Sequence, residues 1–320
     1  MAASVPRLLV VGGNGFLGSA ICKAAVSKGW EVSSMSSSGK PYTTPAGHTP
    51  AWVPKVQWHA ASAFEPSSYL SVIANQDAVV HTLGILLEDK GYKDSVRSGS
   101  ILGLAKSIVG SSGLVSGGGG GSGNPLKTEK ERREGYEGMN RDSALKVLET
   151  MLSTLSTPSS SSSSTSSPNP SHRSFVYISA ADAFRPIVPS AYIESKREAE
   201  LLINRRCEQE GSEKVKATFI RPGLMYHPHI RPLTTLPAFL IDLSSKLSTS
   251  IGVQNPFASK SPLHGAMEAL RTYPLHVDHV ASAVLKCIQE GREGVVDVKE
   301  MRDWAGLGKW KKEGAATIQP

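Results

Sequence analysis

Tyr192 and Lys196 lie four residues apart in Ser190-Ala191-Tyr192-Ile193-Glu194-Ser195-Lys196. On a helix that spacing turns both side chains to one face. A phenol with a pKa near ~10 carries protons poorly at neutral pH. A neighbouring ammonium stabilises the phenolate and makes Tyr192 a usable general acid–base, while Lys196 can also hold a ribose hydroxyl. A Tyr-x-x-x-Lys pair alone is common, so its surroundings matter. Ser179 ends an apolar run thirteen residues before Tyr192, where a hydroxyl can polarise a carbonyl. Asn140 opens the preceding helix, where its amide could order a water beside Lys196. Arg221-Pro222-Gly223 follow a further apolar run and would shape the nicotinamide side of a cleft. Each has a plainer reading, such as a helix cap for Asn140 or a strand-end turn for Ser179. Only the combination is specific.

A second constellation lies near the start of the chain. Gly12-Gly13-Asn14-Gly15-Phe16-Leu17-Gly18 separates an apolar run from a stretch of helical periodicity. Gly12 permits a sharp turn, Gly15 lets backbone approach a pyrophosphate, and Gly18 allows close helix–strand packing. The helix N-terminus then offers free N–H groups to phosphate. The plainer reading is a tight turn without a ligand. A NAD-preferring site places an acid about 20 residues beyond the turn. Here Ser36-Ser37-Ser38-Gly39-Lys40 has no carboxylate. Ser36 and Lys40 therefore favour NADP(H) over NAD(H). His81 and Gly84 end another apolar run and are expected beside the cofactor, with His81 as a satisfied histidine rather than a catalyst. His227, His229, His276 and His279 show no metal-ligand spacing, and no metal is expected.

These residues need a scaffold with strand ends in one place. Arg7–Val11, 30–35, 56–60, 77–83, 174–179 and 215–220 read as strands, with helical spacing at 16–28, 67–74, 139–155, 191–210 and 277–289. The alternation predicts an α/β fold, a Rossmann-type doubly wound parallel sheet. One dinucleotide-binding domain over 5–300 is expected, with a small C-terminal substrate-side lobe at 223–275 and a tail at 301–320. Two low-complexity insertions interrupt it: a Gly/Ser-rich stretch at 91–135, read as either a flexible insertion or a loop that orders on a partner, and a Ser-rich stretch at 153–172, read as disordered.

Composition narrows the class. The 320 residues are 39 % hydrophobic and 20 % charged, values that suit a globular chain with a sizeable core. No uncharged apolar run approaches the ~20 residues of a membrane-spanning helix. Three distant cysteines, Cys22, Cys207 and Cys287, make neither a disulfide framework nor a zinc site. The formal charge is +7, but basic residues are scattered or interleaved with acids, so no nucleic-acid partner is expected. Six residues precede the first apolar run, which by itself leaves no room for an address signal and reads as cytosolic.

The glycine turn, His81-Thr82-Leu83-Gly84, the Tyr192/Lys196 pair and Arg221-Pro222-Gly223 together resemble the atypical and extended short-chain dehydrogenase/reductases. Further strings narrow the resemblance: Gly84-Ile85-Leu86-Leu87-Glu88, Asn124-Pro125-Leu126-Lys127 and Ser195-Lys196-Arg197-Glu198-Ala199-Glu200. They are similar to fungal mitochondrial members that accompany the coenzyme Q (ubiquinone) biosynthetic complex, and more distantly to the NADPH-binding accessory subunit of respiratory complex I. The resemblance implies a mitochondrial, matrix-side location, peripheral membrane association and membership of a quinone-forming complex. Two departures bear on nucleotide preference rather than fold. An arginine common after the second strand is replaced within Ser36–Ser38, and an Asp common after the third is replaced within Ala61-Ser62-Ala63. Three functional classes follow as expectations: a reductase acting on a carbonyl or alcohol, a non-catalytic nucleotide-binding assembly factor, and a sugar-nucleotide epimerase.

Overall fold

A computed structural model describes residues 5–85, 128, 132–133, 135–156, 172–182, 189–210, 214–228, 230 and 274–307. Most of the 91–135 insertion, the Ser-rich tract after 156 and the 231–273 part of the expected lobe lie outside the described residues.

The apolar runs form the strands. β1 (Arg7–Val11), β2 (Glu31–Ser36), β3 (Val56–Ala60), β4 (Ala78–His81), β5 (Arg173–Ile178) and β6 (Val215–Ile220) pair in parallel. With a short late strand, β9 (Gly294–Val296), they make a seven-stranded sheet of order β3-β2-β1-β4-β5-β6-β9. The order reverses direction between β1 and β4, and ligands in doubly wound sheets bind at such a crevice, beyond the carboxyl ends of the strands. Two further strands, β7 (Met225–Tyr226) and β8 (Leu275–His276), form a separate parallel pair.

The central strands β1 and β4 are apolar on both faces because helices cover both. Leu8 and Val10 face a core shared with α1 (Phe16–Ser27) and α5 (Val277–Glu290). Leu9 and Val11 face the opposite core, built with α3 (Ser143–Ser156) and α4 (Ser190–Glu210). The helix expected at 67–74 is reduced to a 3₁₀ turn, Pro66–Ser68, and a single helical turn, α2 (Leu70–Ile73). Pro66 starts that short element, and Tyr69 is fully buried at the junction. The segment read as a tail from 301 begins inside α6 (Val298–Trp304), where Met301 is buried and Trp304 packs against the core. Among the described residues no helix is long and apolar enough to cross a membrane.

Candidate functional site

The glycine turn has the close contacts its sequence implies. Gly12 sits at φ +88°, in the left-handed region, and its N–H reaches the Met35 carbonyl at 2.8 Å. A Cβ on Gly18 would lie 2.2 Å from the Gly12 carbonyl oxygen and 2.8 Å from Gly13 Cα. A Cβ on Gly13 would lie 2.2 Å from Ser34 Oγ, so this glycine lets the turn approach β2. Gly15 is the residue before α1, with extended backbone and no side chain to cap the helix. Phe16 and Leu17 open that helix, with Leu17 buried in the core. Thr82 ties the turn to β4 by donating its hydroxyl to the Val11 carbonyl at 2.7 Å. The result is a cradle of bare backbone at a helix N-terminus on the crevice, a fit for a pyrophosphate.

Asn14 and Ser36 hold the neighbouring loop. Asn14 Nδ2 donates to Ser36 Oγ at 3.2 Å, and the Gly39 N–H donates to the same oxygen at 3.2 Å. Ser36 thus pins the turn to the end of β2. Lys40 is exposed, and with Asn14, Ser38, Tyr42 and Trp58 it lines a cleft of about 770 Å³.

Lys196 is the centre of the second constellation. It is 3 % exposed, with Nζ donating to the Ile178 carbonyl at 2.9 Å and, more weakly, to the Leu83 carbonyl at 3.4 Å. Nζ also stands 4.7 Å from the centre of the Tyr177 ring. Burial drives its pKa down from 10.5 to about 7, opposed by the charge of Glu200. A Cβ on Gly84 would lie 2.8 Å from Lys196 Nζ and 2.9 Å from Asn140 Oδ1, so both groups converge on that glycine. Tyr192 shares the helix, with its ring edge-on to Tyr136 at 6.3 Å.

Asn140 is tied into the fold through its side chain and its backbone. It lies in a π-helical turn, Glu137–Asp142, that leads into α3. Its Oδ1 accepts the Ile85 N–H at 3.0 Å, and its Nδ2 donates to Ser195 Oγ at 3.0 Å. Its backbone carbonyl accepts the Tyr177 hydroxyl at 2.5 Å. The side chain therefore clamps the loop after β4 to α4.

His81 is fully buried, pairs through Nε2 with Ser143 Oγ at 3.1 Å and stacks on Tyr177. Burial, then the charge of Lys196, lowers its pKa to about 3, so it stays neutral and is no acid–base group. Among the described residues its Nδ1 has no partner.

Ser179 follows β5 and is held by residues that spacing did not single out. Arg197 Nη1 donates to Ser179 Oγ at 3.0 Å and to Glu200 Oε1 at 2.7 Å. Arg221 Nε donates to Glu200 Oε1 at 3.0 Å, and its Nη2 pairs with Oε2. Arg221 thus meets Glu200. The Pro222 carbonyl accepts the Ala181 N–H at 2.8 Å, which ties the residues after β6 to those after β5. Gly223 is half-buried beside it. Glu200 was detectable: it falls on the buried stripe of α4 with Ile193, Lys196, Ala199, Ile203 and Cys207.

Folding also gathers histidines that their spacing left apart. His227, His276 and Asp278 bring ligand-type atoms within 4.8 Å of one another, while His229 lies outside the described residues. His227 Nδ1 accepts the Ile230 N–H, and His276 Nδ1 accepts the Asp278 N–H that it caps, each at 3.2 Å. Neutral rings bonded so carry their proton on Nε2. A metal-bound imidazole instead donates from its second nitrogen, so this bonding does not suit a metal.

Comparison with known proteins accords with this geometry. Residues 8–93 match the NAD dependent epimerase/dehydratase family. Over 298 residues, 93 % of this chain and 99 % of the relative, the sequence is 34 % identical to MIOREX complex component 2 of Saccharomyces cerevisiae. Among solved structures, a short chain dehydrogenase/reductase family oxidoreductase from Burkholderia thailandensis aligns with a TM-score of 0.54 at 13 % identity, covering 95 % of this chain and 93 % of that one. The 3-oxoacyl-[acyl-carrier protein] reductase of Brucella melitensis, solved with NAD, aligns with a TM-score of 0.54 at 12 % identity, covering 96 % and 98 %. The chain has a nicotinamide-dinucleotide-binding fold like that of short-chain dehydrogenase/reductases, carries an NAD dependent epimerase/dehydratase match over residues 8–93, and belongs to the same family as the yeast MIOREX component.

Proposed function

We propose that this chain is an NAD(P)-dependent reductase-type protein that supports coenzyme Q formation inside a mitochondrial complex. The observation that carries the proposal is the convergence of buried Lys196 Nζ, Asn140 Oδ1 and bare Gly84 at the crevice that also holds the glycine cradle. A dinucleotide bound there supplies a hydride donor or acceptor. Gly12–Gly18 hold the pyrophosphate through backbone amides and the α1 terminus. Ser36 and Lys40 lie on the adenosine side, where Lys40 favours a 2′-phosphate and hence NADP(H) over NAD(H). Lys196 holds ribose hydroxyls and its ammonium form stabilises a phenolate at Tyr192, which exchanges the proton with a substrate oxygen. Ser179 steadies that oxygen with its hydroxyl hydrogen, since its lone pair already accepts from Arg197.

The mitochondrial and quinone assignments draw on motif resemblance. The name of the yeast relative, a complex component, supports a partner-bound role. A second reading, a non-catalytic nucleotide-binding assembly factor, has its own support. Asn140 spends its amide on Ile85 and Ser195 and its carbonyl on Tyr177, leaving the relay groups satisfied within the fold. Native mass spectrometry of the purified protein tests the shared premise, with a copurifying dinucleotide expected. Tyr192→Phe then separates the readings. Loss of quinone formation in cells with nucleotide binding intact supports the reductase, and normal quinone levels with an intact complex support the assembly factor.

A further inference from the structure

Arg197, Glu200 and Arg221 form a charge cluster at the carboxyl ends of β5 and β6, in contact with Ser179. Two guanidiniums share one carboxylate that is 6 % exposed. Each arginine side chain keeps 29 % of its surface open. Arg197 spends Nη1 on Ser179 and Glu200, and Nη2 on the Ala180 carbonyl at 2.7 Å. Arg221 spends Nε and Nη2 on Glu200, and its Nη1 donates to none of the described residues. A further carboxylate, Asp297, offsets part of the Arg221 charge without taking one of its donors, while it caps α6 by accepting the Glu300 N–H at 2.8 Å. A tie between α4 and the strand ends needs one ion pair. The second arginine brings unspent planar donors, which suit a carboxylate.

The cluster is also in the right place. Arg197 follows Lys196 in sequence, and Lys196 Nζ donates to Ile178 while Arg197 holds Ser179. A carbonyl oxygen steadied by Ser179 would have its neighbouring substituent beside the two guanidiniums. We infer that the preferred substrates are carbonyl compounds carrying a carboxylate on or next to the reacting carbon, received by Arg197 and Arg221. This rests on the reductase reading of the Tyr192/Lys196 centre.

The test compares phenylpyruvate with 1-phenylpropan-2-one, which has a methyl group where the acid has its carboxylate. Both are titrated calorimetrically into full-length protein, with and without saturating NADPH. The acid should bind at least ~10-fold tighter, a ratio within reach of one charge-assisted pair. Arg197→Gln and Arg221→Gln should each bring that ratio towards one. Glu200→Gln removes the internal competitor for the guanidiniums and should tighten acid binding, whereas a purely architectural cluster would weaken it or leave it unchanged. Thermal unfolding of each variant identifies any loss of fold. Equal binding of the two probes, no binding of either, or an acid preference untouched by all three variants overturns the inference. Failure of NADPH itself to bind the wild type instead overturns the reductase reading.

Discussion

Replacing the buried lysine with an apolar isostere, Lys196→Met, should make the ligand-free protein more stable at pH 6. The folded lysine titrates at about 7 instead of 10.5, chiefly because burial strips the ammonium of water. At about 1.4 kcal/mol per unit, carrying that charge into the fold costs about 5 kcal/mol at most. Removing it leaves the Ile178 carbonyl, now 2.9 Å from Nζ, without a donor, a loss of roughly 1–3 kcal/mol. The methionine sulfur keeps a favourable contact with the Tyr177 ring. The balance favours the variant by roughly 2 kcal/mol at pH 6. Between pH 7 and 10.5 the unfolded chain holds a proton on this lysine that the folded chain has released. Wild-type stability therefore rises with pH across that window, while below it the penalty is constant. The two stability curves should converge and cross before the upper end. Urea unfolding at pH 6, 8 and 9.5 measures the gap. A variant less stable than wild type at pH 6, or a gap that ignores pH, refutes the reasoning.

Gly18→Ala places a methyl group 2.2 Å from the Gly12 carbonyl oxygen, which only a shift of the turn can relieve. A loss of about 1–3 kcal/mol in urea unfolding is expected, with dinucleotide affinity weakened more than ~10-fold in calorimetry because the displaced amides are those of the cradle. His81 enters the fold neutral, with its pKa held at about 3 against 6.5 when unfolded. The unfolded chain takes up this proton as pH falls from 6.5 towards 3, so stability drops across that range. His81→Phe keeps a ring against Tyr177, and it should flatten the acid limb of a stability–pH profile recorded by circular dichroism.

The centre of the sheet was legible because β1 and β4 are nearly continuous apolar runs, and runs buried on both faces are hard to mistake when glycines and helical spacing bracket them. The glycine turn was legible for the same reason, since Gly12 and Gly18 answer to backbone geometry. What escaped was short or set by tertiary contact. β9 has three residues, and β7 and β8 have two each. Such segments carry no period and form only because a neighbour offers hydrogen bonds. Gly138 also passed unnoticed, although a Cβ there would meet the Arg132 carbonyl oxygen at 2.4 Å. Tyr192, Lys196, Ser179 and Asn140 were named from spacing, but their partners were not. Ser195, Tyr177 and Arg197 look like ordinary strand or helix residues until the fold sets them against the others. α4 is rich in charge, yet Glu200 and Lys196 are both buried in it.

The π-helical turn that carries Asn140 has a consequence for how this clamp could arise or vanish. Such a bulge amounts to one surplus residue in an otherwise regular helix, and each residue of an α-helix turns the next by about 100°. Excising a single codon between Glu137 and Asp142 would let the coil close into ordinary α register and swing the amide off Ile85 and Ser195, with α3 downstream untouched. A protein of this architecture therefore stands one deletion away from a sibling with the same scaffold and a slack hinge beside its buried lysine.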